Sequence, residues 1–252
     1  MVIKDDELVA IDTPSGSMRT HLFRPAASGS YPGLVLYSEI FQVTGPIRRT
    51  AAMFAGHGYV VAVPEIYHEF EPAGAVFAYD DAGSARGNAL KTKKSLASYD
   101  ADARAALAFL KTYRHCTGRL GVVGICIGGH LAFRAATNRE VLAGVCFYPT
   151  DLHKHGLGEG QHDDSLDRAS EICGEMLMIF GRQDPHIPAE GRALIYETMT
   201  KAGIRFTWHE VNAAHAFIRD EGARYDPAAA RACYGLGLEL LHRKLGEGDV
   251  AD

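Results

Sequence analysis

The sequence predicts an α/β fold: a mostly parallel central sheet with helices on both faces and an antiparallel hairpin at the N-terminal edge. Three observations lead there. Short apolar runs rich in Val, Ile, Leu and Tyr recur along the chain, stretches of helical spacing separate them, and residues 8–25 alternate apolar and polar positions around a Pro-Ser-Gly-Ser turn. Strands alternating with helices form a parallel sheet buried on both faces.

In chain order, residues 8–25 (LVAIDTPSGSMRTHLFRP) read as the hairpin. Strands are predicted at 33–38 (GLVLYS), 59–64 (YVVAVP), 120–125 (LGVVGI), 143–148 (AGVCFY), 176–180 (MLMIF) and 205–211 (RFTWHEV). Helices are predicted at 99–114, 129–137, 189–202 and 227–244, with another starting at Arg48. In the first of these Ala103, Leu107 and Leu110 share a face, with Asp102 and Arg104 off it. Two segments, 65–98 and the His-rich 151–171, carry neither period. Connections of that length are often binding loops or lids, so both are candidates to border a functional site.

A chain of 252 residues is read as one domain, 1–252. With 47% apolar and 23% charged residues it has the balance of an ordinary globular protein, and a net charge of -5 offers no basic stripe for nucleic acid. The five cysteines (Cys116, Cys126, Cys146, Cys173, Cys233) form no C-x-x-C pair and read as reduced thiols. The N-terminus lacks an apolar leader and no run approaches the roughly 18 apolar residues of a membrane span, which places the protein in the cytoplasm, away from membranes. No G-x-G-x-x-G follows a strand, so no cofactor is expected. His153, His155, His162, Asp163 and Asp164 lack the fixed helical spacing of a metal motif; no metal is expected. The oligomeric expectation is a monomer or small homo-oligomer.

The chemistry-bearing motif is Gly124-Ile125-Cys126-Ile127-Gly128-Gly129, between the strand LGVVGI and the helical HLAFRAATNR. A sharp strand-to-helix turn needs neighbours without a Cβ and leaves the central side chain exposed at the strand end. The helix that follows aims its free N–H groups at the sulfur, favouring thiolate and making the Ile127 N–H an oxyanion donor. Alone, G-x-C-x-G also fits a buried structural cysteine. Asp184, however, follows MLMIF, and His215 follows RFTWHEV. Singly, Asp184 reads equally as a turn or helix cap, and His215 as one histidine of twelve. Together the order nucleophile, acid, histidine, each past a strand end, is that of α/β-hydrolase triads. His215 would then serve as base to Cys126, oriented by Asp184, and the chemistry would be acyl transfer to water.

These residues resemble the dienelactone hydrolase (carboxymethylenebutenolidase) family. The elbow matches the family's G-x-C-x-G-G, Ser38-Glu39-Ile40-Phe41-Gln42-Val43 is similar to its E-I-F-x-V segment, and His215-Ala216-Phe217-Ile218-Arg219 reproduces H-x-F-x-R. The resemblance spans nearly the whole chain in element order. It implies an α/β-hydrolase fold, a Glu39 that holds the resting Cys126 thiol, a second oxyanion donor in the Ile40 N–H, and Arg219 as a substrate-carboxylate clamp. Arg219-Asp220-Glu221 equally fits a local surface charge cluster. Two departures stand out: residue 125, aromatic in some members, is Ile, and the family's second substrate arginine aligns with Arg86 only after a gap. The expected substrate is a small, anionic ester or lactone. The alternatives are a carboxylesterase or thioesterase acting on other small acyl groups, and a non-catalytic binding or redox-sensing protein on the same fold.

Overall fold

The computed structural model describes residues 1–246; the last residues of the expected 1–252 domain lie outside the described residues. The hairpin is formed by β1 (Ile3–Thr13) and β2 (Gly16–Pro25), paired antiparallel with Thr13 opposite Gly16, so that Pro14 and Ser15 make the turn. Six further strands follow: β3 (Tyr31–Tyr37), β4 (Val60–Pro64), β5 (Cys116–Ile125), β6 (Val141–Phe147), β7 (Glu175–Gly181) and β8 (Phe206–Val211). They build one eight-stranded sheet in the order β1-β2-β4-β3-β5-β6-β7-β8. The hairpin joins antiparallel through β2 and β4, and all pairs from β4 to β8 are parallel.

Among the described residues six α-helices complete the fold: α1 (Gly45–Gly56), α2 (Asp81–Lys93), α3 (Leu96–Thr112), α4 (Ile127–Ala135), α5 (Ala189–Lys201) and α6 (Pro227–Leu245). Successive side chains of a strand point to opposite faces. On β3, the Gly33 position faces Leu110 of α3, while its neighbour Leu34 shares a pocket with Leu245 of α6. Thus α3 and α6 lie on opposite faces. On the α6 side α1 packs beside it, Phe54 meeting Tyr234 edge-on at 6.2 Å. The central strands β3 to β7 are buried along most of their length, and the core runs through both interfaces. Among the described residues, no helix is long and apolar enough to cross a membrane.

Three expectations are corrected. The segment 65–98 contains α2, which no apolar period announces because two of its three buried residues are Gly83 and Gly87. A Cβ on Gly87 would come within 2.5 Å of the Ile40 carbonyl oxygen, so glycine lets α2 lie directly against the loop after β3. Strand β5 starts at Cys116 rather than 120, since its first four residues project beyond the buried core and need no apolar side chains. Asp102, placed off the core face of its helix, is buried: the ammonium of the fully buried Lys94 donates to it at 2.6 Å, and His68 lies 3.0 Å away. That lysine also contacts Glu69 at 2.7 Å, so the His68, Glu69 and Asp102 cluster already contains its cation.

Candidate active site

Cys126 occupies the turn between β5 and α4 with φ 62° and ψ -122°, a left-handed conformation that a side-chain-bearing residue adopts only where its surroundings force it. The flanking glycines show the force. A Cβ on Gly124 would overlap the Gly128 carbonyl, and one on Gly128 would overlap the Tyr37 carbonyl at the end of β3. Helix α4 begins at the next residue, Ile127, so the Ile127 and Gly128 N–H groups precede its first hydrogen bond, which the Gly129 N–H donates to the Cys126 carbonyl at 2.9 Å. The Thr150 hydroxyl lies 3.8 Å from Cys126 Sγ.

Asp184 follows β7 and His215 follows β8, and the structure brings them together: His215 Nδ1 lies 2.7 Å from Asp184 Oδ2, both groups buried. This leaves Nε2 for the Cys126 sulfur. Burial works against charge on His215, but the Cys126 sulfur and the Asp184 carboxylate outweigh it and push its pKa up to about 10. The Asp184 carboxyl sits below its ordinary value: burial opposes ionisation, yet the hydrogen bond from His215 and one from the His186 backbone N–H prevail. Asp184 is not a helix cap, since α5 begins behind Pro188 without a side-chain bond. The rings of Tyr148 and His186 meet His215 edge-on at 4.9 and 4.6 Å and hold its plane.

Glu39, just past β3, is buried and receives a hydrogen bond from the Tyr79 hydroxyl at 3.1 Å, with Arg219 Nη1 3.8 Å from its other oxygen. Burial raises the Glu39 pKa despite Arg219, His215 and Tyr79. Its hydrogen-bond donor in this structure is Tyr79 and not the Cys126 thiol. Arg219 is turned inward, its guanidinium 4.1 Å over the Tyr79 ring. The surface charge cluster also exists, but its cation is Arg49 of α1, which grips Asp220 in two hydrogen bonds and reaches Glu221.

A cavity of about 250 Å³ opens over these groups, bordered by Glu39, Ile40, Cys126, His215 and Arg219. Arg86 is not part of it; this arginine is half exposed and paired with Glu71. The face of α2 that reaches the cavity carries Ser84, Asn88 and Lys91, spaced one helical turn apart, and Lys91 Nζ bonds Asp151 Oδ2 at 2.5 Å. Arg224 and His186 complete the polar lining. A void of about 20 Å³ beside Tyr37 and Tyr99 is too small for a substrate.

Tyr79, Lys91, Asp151 and Thr150 were invisible to motif reading. The one available signal was the four- and three-residue spacing of Ser84, Asn88 and Lys91 within a stretch without apolar period. The His-rich segment 151–171 borders the cavity through Asp151, and several of its side chains are held by neighbouring groups. Asp163, fully buried, bonds His130 at 3.0 Å and accepts from the Leu157 and Ser165 N–H groups, which overcome burial and hold its carboxyl far below the ordinary range. His155 bonds the Asp163 carbonyl, and Asp164 takes a hydrogen bond from Arg134 at 2.6 Å.

The dienelactone hydrolase family model matches residues 18–245. A protein of Saccharomyces cerevisiae named "Putative carboxymethylenebutenolidase" is 44% identical over 240 residues, covering 91% of this chain and 88% of its own. A carboxymethylenebutenolidase of Pseudomonas putida is 27% identical over 236 residues, covering 93% and 95%. Among solved structures, a "Putative Dienelactone Hydrolase" of Klebsiella pneumoniae superposes with a TM-score of 0.82 at 20% identity, covering 96% of this chain and all of that one, a likeness of fold.

Proposed function

The chain belongs to the dienelactone hydrolase family and is a hydrolase acting on ester or lactone bonds, and from that premise we propose that it works through a Cys126 thiolate on small substrates carrying a carboxylate. The observation that carries this reading is the Cys126 turn. A cysteine in left-handed backbone at a helix N-terminus faces a histidine that a buried carboxylate orients.

In this reading the reaction runs in two halves. The Cys126 sulfur adds to the substrate carbonyl carbon, and the carbonyl oxygen takes the negative charge, received by the backbone N–H groups of Ile127 and Ile40. The tetrahedral adduct collapses by breaking the ester C–O bond, and the leaving alkoxide or enolate takes a proton from His215 Nε2. Neutral His215 then removes a proton from water, the hydroxide adds to the thioester carbon, and collapse releases the carboxylic acid and regenerates thiolate and imidazolium. Asp184 keeps the Nδ1 proton fixed throughout. Arg219 is suited to hold a substrate carboxylate: its charge is only loosely engaged by Glu39, whose raised pKa favours the protonated form. We place this single-domain enzyme in the cytoplasm.

Turnover of p-nitrophenyl acetate, a dienelactone and a neutral lactone by wild type, Cys126→Ala and Cys126→Ser tests the reading. Cys126→Ala should lower kcat/KM by about a thousandfold or more on every substrate that wild type hydrolyses. A Cys126→Ala enzyme within tenfold of wild type would remove the cysteine from the chemistry.

A further inference from the structure

Three cationic side chains line the cavity, Arg219, Arg224 and Lys91, and they differ in how their charge is engaged. Arg219 stands 3.8 Å from a carboxyl that burial biases toward its proton-bearing form, and Arg224 of the same loop adds positive charge nearby. Lys91 is engaged far more closely: its ammonium lies 2.5 Å from Asp151, with the two side chains only 12% and 20% exposed.

This pair is anchored on both sides. Asp151 has left-handed backbone (φ 62°), and its carbonyl accepts hydrogen bonds from the N–H groups of Lys154 and Gly156. The Lys91 carbonyl accepts from the Gly158 N–H at 3.2 Å and from the Tyr99 hydroxyl at 3.3 Å. Fixing both backbones in this way lowers the entropy cost that makes most surface ion pairs weak. The pair therefore forms a persistent, net-neutral stretch of the cavity wall, flanked on α2 by the uncharged Ser84 and Asn88.

We propose that Asp151 sets substrate specificity: by cancelling the charge of Lys91 it leaves the α2 wall neutral, so that a substrate carboxylate is held on the Arg219 side of the cavity and a further one is disfavoured against α2. The rest of the substrate then meets a neutral wall of hydrogen-bonding groups. A second carboxylate at this wall would meet the Asp151 anion and no free cation, whereas a hydroxyl or carbonyl would find both a donor and an acceptor. The proposal rests on the reading of the cavity as an anionic-ester site.

Three esters of one acyl skeleton test it: p-nitrophenyl butyrate, mono-p-nitrophenyl glutarate and mono-p-nitrophenyl tricarballylate, carrying no, one and two carboxylates. Wild type should prefer the glutarate ester. Asp151→Asn should raise the tricarballylate-to-glutarate ratio of kcat/KM by about tenfold, the scale of a freed cation in a partly buried site. Adding Lys91→Met to that variant should return the ratio to the wild-type value. A ratio that stays within twofold of wild type in Asp151→Asn, with the glutarate preference intact, overturns the role of Asp151 alone. A flat glutarate-to-butyrate ratio in wild type, unaltered by Arg219→Ala, sinks the anionic-ester reading and this proposal with it.

Discussion

The strand-end corner holding Cys126, His215 and Asp184 and the wall made by α2 with residues 151–171 border the same cavity, yet they are held by different means. At the corner, backbone does the fixing: Cys126 is locked because Gly124 and Gly128 bring β5, α4 and the end of β3 closer than any Cβ permits. In the wall, side chains do it: Lys91 to Asp151, Asp163 to His130, and behind them Lys94 to Glu69 and Asp102. A backbone lock has no partial states, whereas an ion pair is altered by one substitution while the chain path survives. On the proposed reading, the difference separates what would perform the reaction from what would select the substrate.

The severest way to break this contrast is Gly128→Ala, which leaves all reacting side chains in place. It should cost about 3 kcal/mol or more in stability, read from the urea denaturation midpoint, because the added methyl overlaps the Tyr37 carbonyl at the core. A loss under about 1 kcal/mol would mean that the elbow is less tightly locked than the contrast requires.

In the wall, Asp163→Asn should cost about 2–3 kcal/mol at neutral pH by weakening a charge-assisted bond to His130 in a buried site. The sign with pH follows from its depressed pKa. The ionised Asp163 stabilises the fold above the ordinary aspartate range, and that contribution is lost as pH falls through the depressed folded value. The wild-type advantage over Asp163→Asn should therefore shrink in acid, and an advantage that grows in acid would contradict the assignment.

The smallest effect belongs to Glu39, which lines the cavity that both regions border. Its folded pKa is raised above the ordinary 4.5, so its contribution is fully present below that value and is lost as pH rises through the folded pKa. Glu39→Gln cannot ionise, and its stability relative to wild type should rise with pH over that window, by about 1.4 kcal/mol per unit of the shift. Thermal melts at a series of pH values read this directly, and parallel curves for the two proteins would show that Glu39 ionises without strain.

The same contrast explains what could be read from the sequence. Every member of the corner follows a β-rich run, buried along β5 and β7 and half-buried along β8, so apolar patterning located the strand ends and the motifs located the residues. The hairpin, the parallel sheet and four of the helices were legible for the same reason. Helix α2 was not, because glycine stands at two of its three buried positions and leaves no apolar stripe. Asp102 was misplaced because a buried carboxylate is predictable only with its lysine, and Lys94 lies eight residues away across a helix start. Tyr79, Lys91 and Asp151 gain meaning only from long-range contacts. Arg86 does not line the cavity; the cation of segment 65–98 that does is Lys91.

Strand β4 must pass over the sheet to reach β5, and one helix suffices for such a crossover. In this chain that helix is α3, packed on β5, β3 and β4. Helix α2 is thus surplus to the topology: the sheet would close its order without it, and beyond its packing on the loop after β3 its exposed face answers to the cavity. A protein built in this way can exchange one stretch of chain between β4 and α3 and meet a different molecule with the same sulfur.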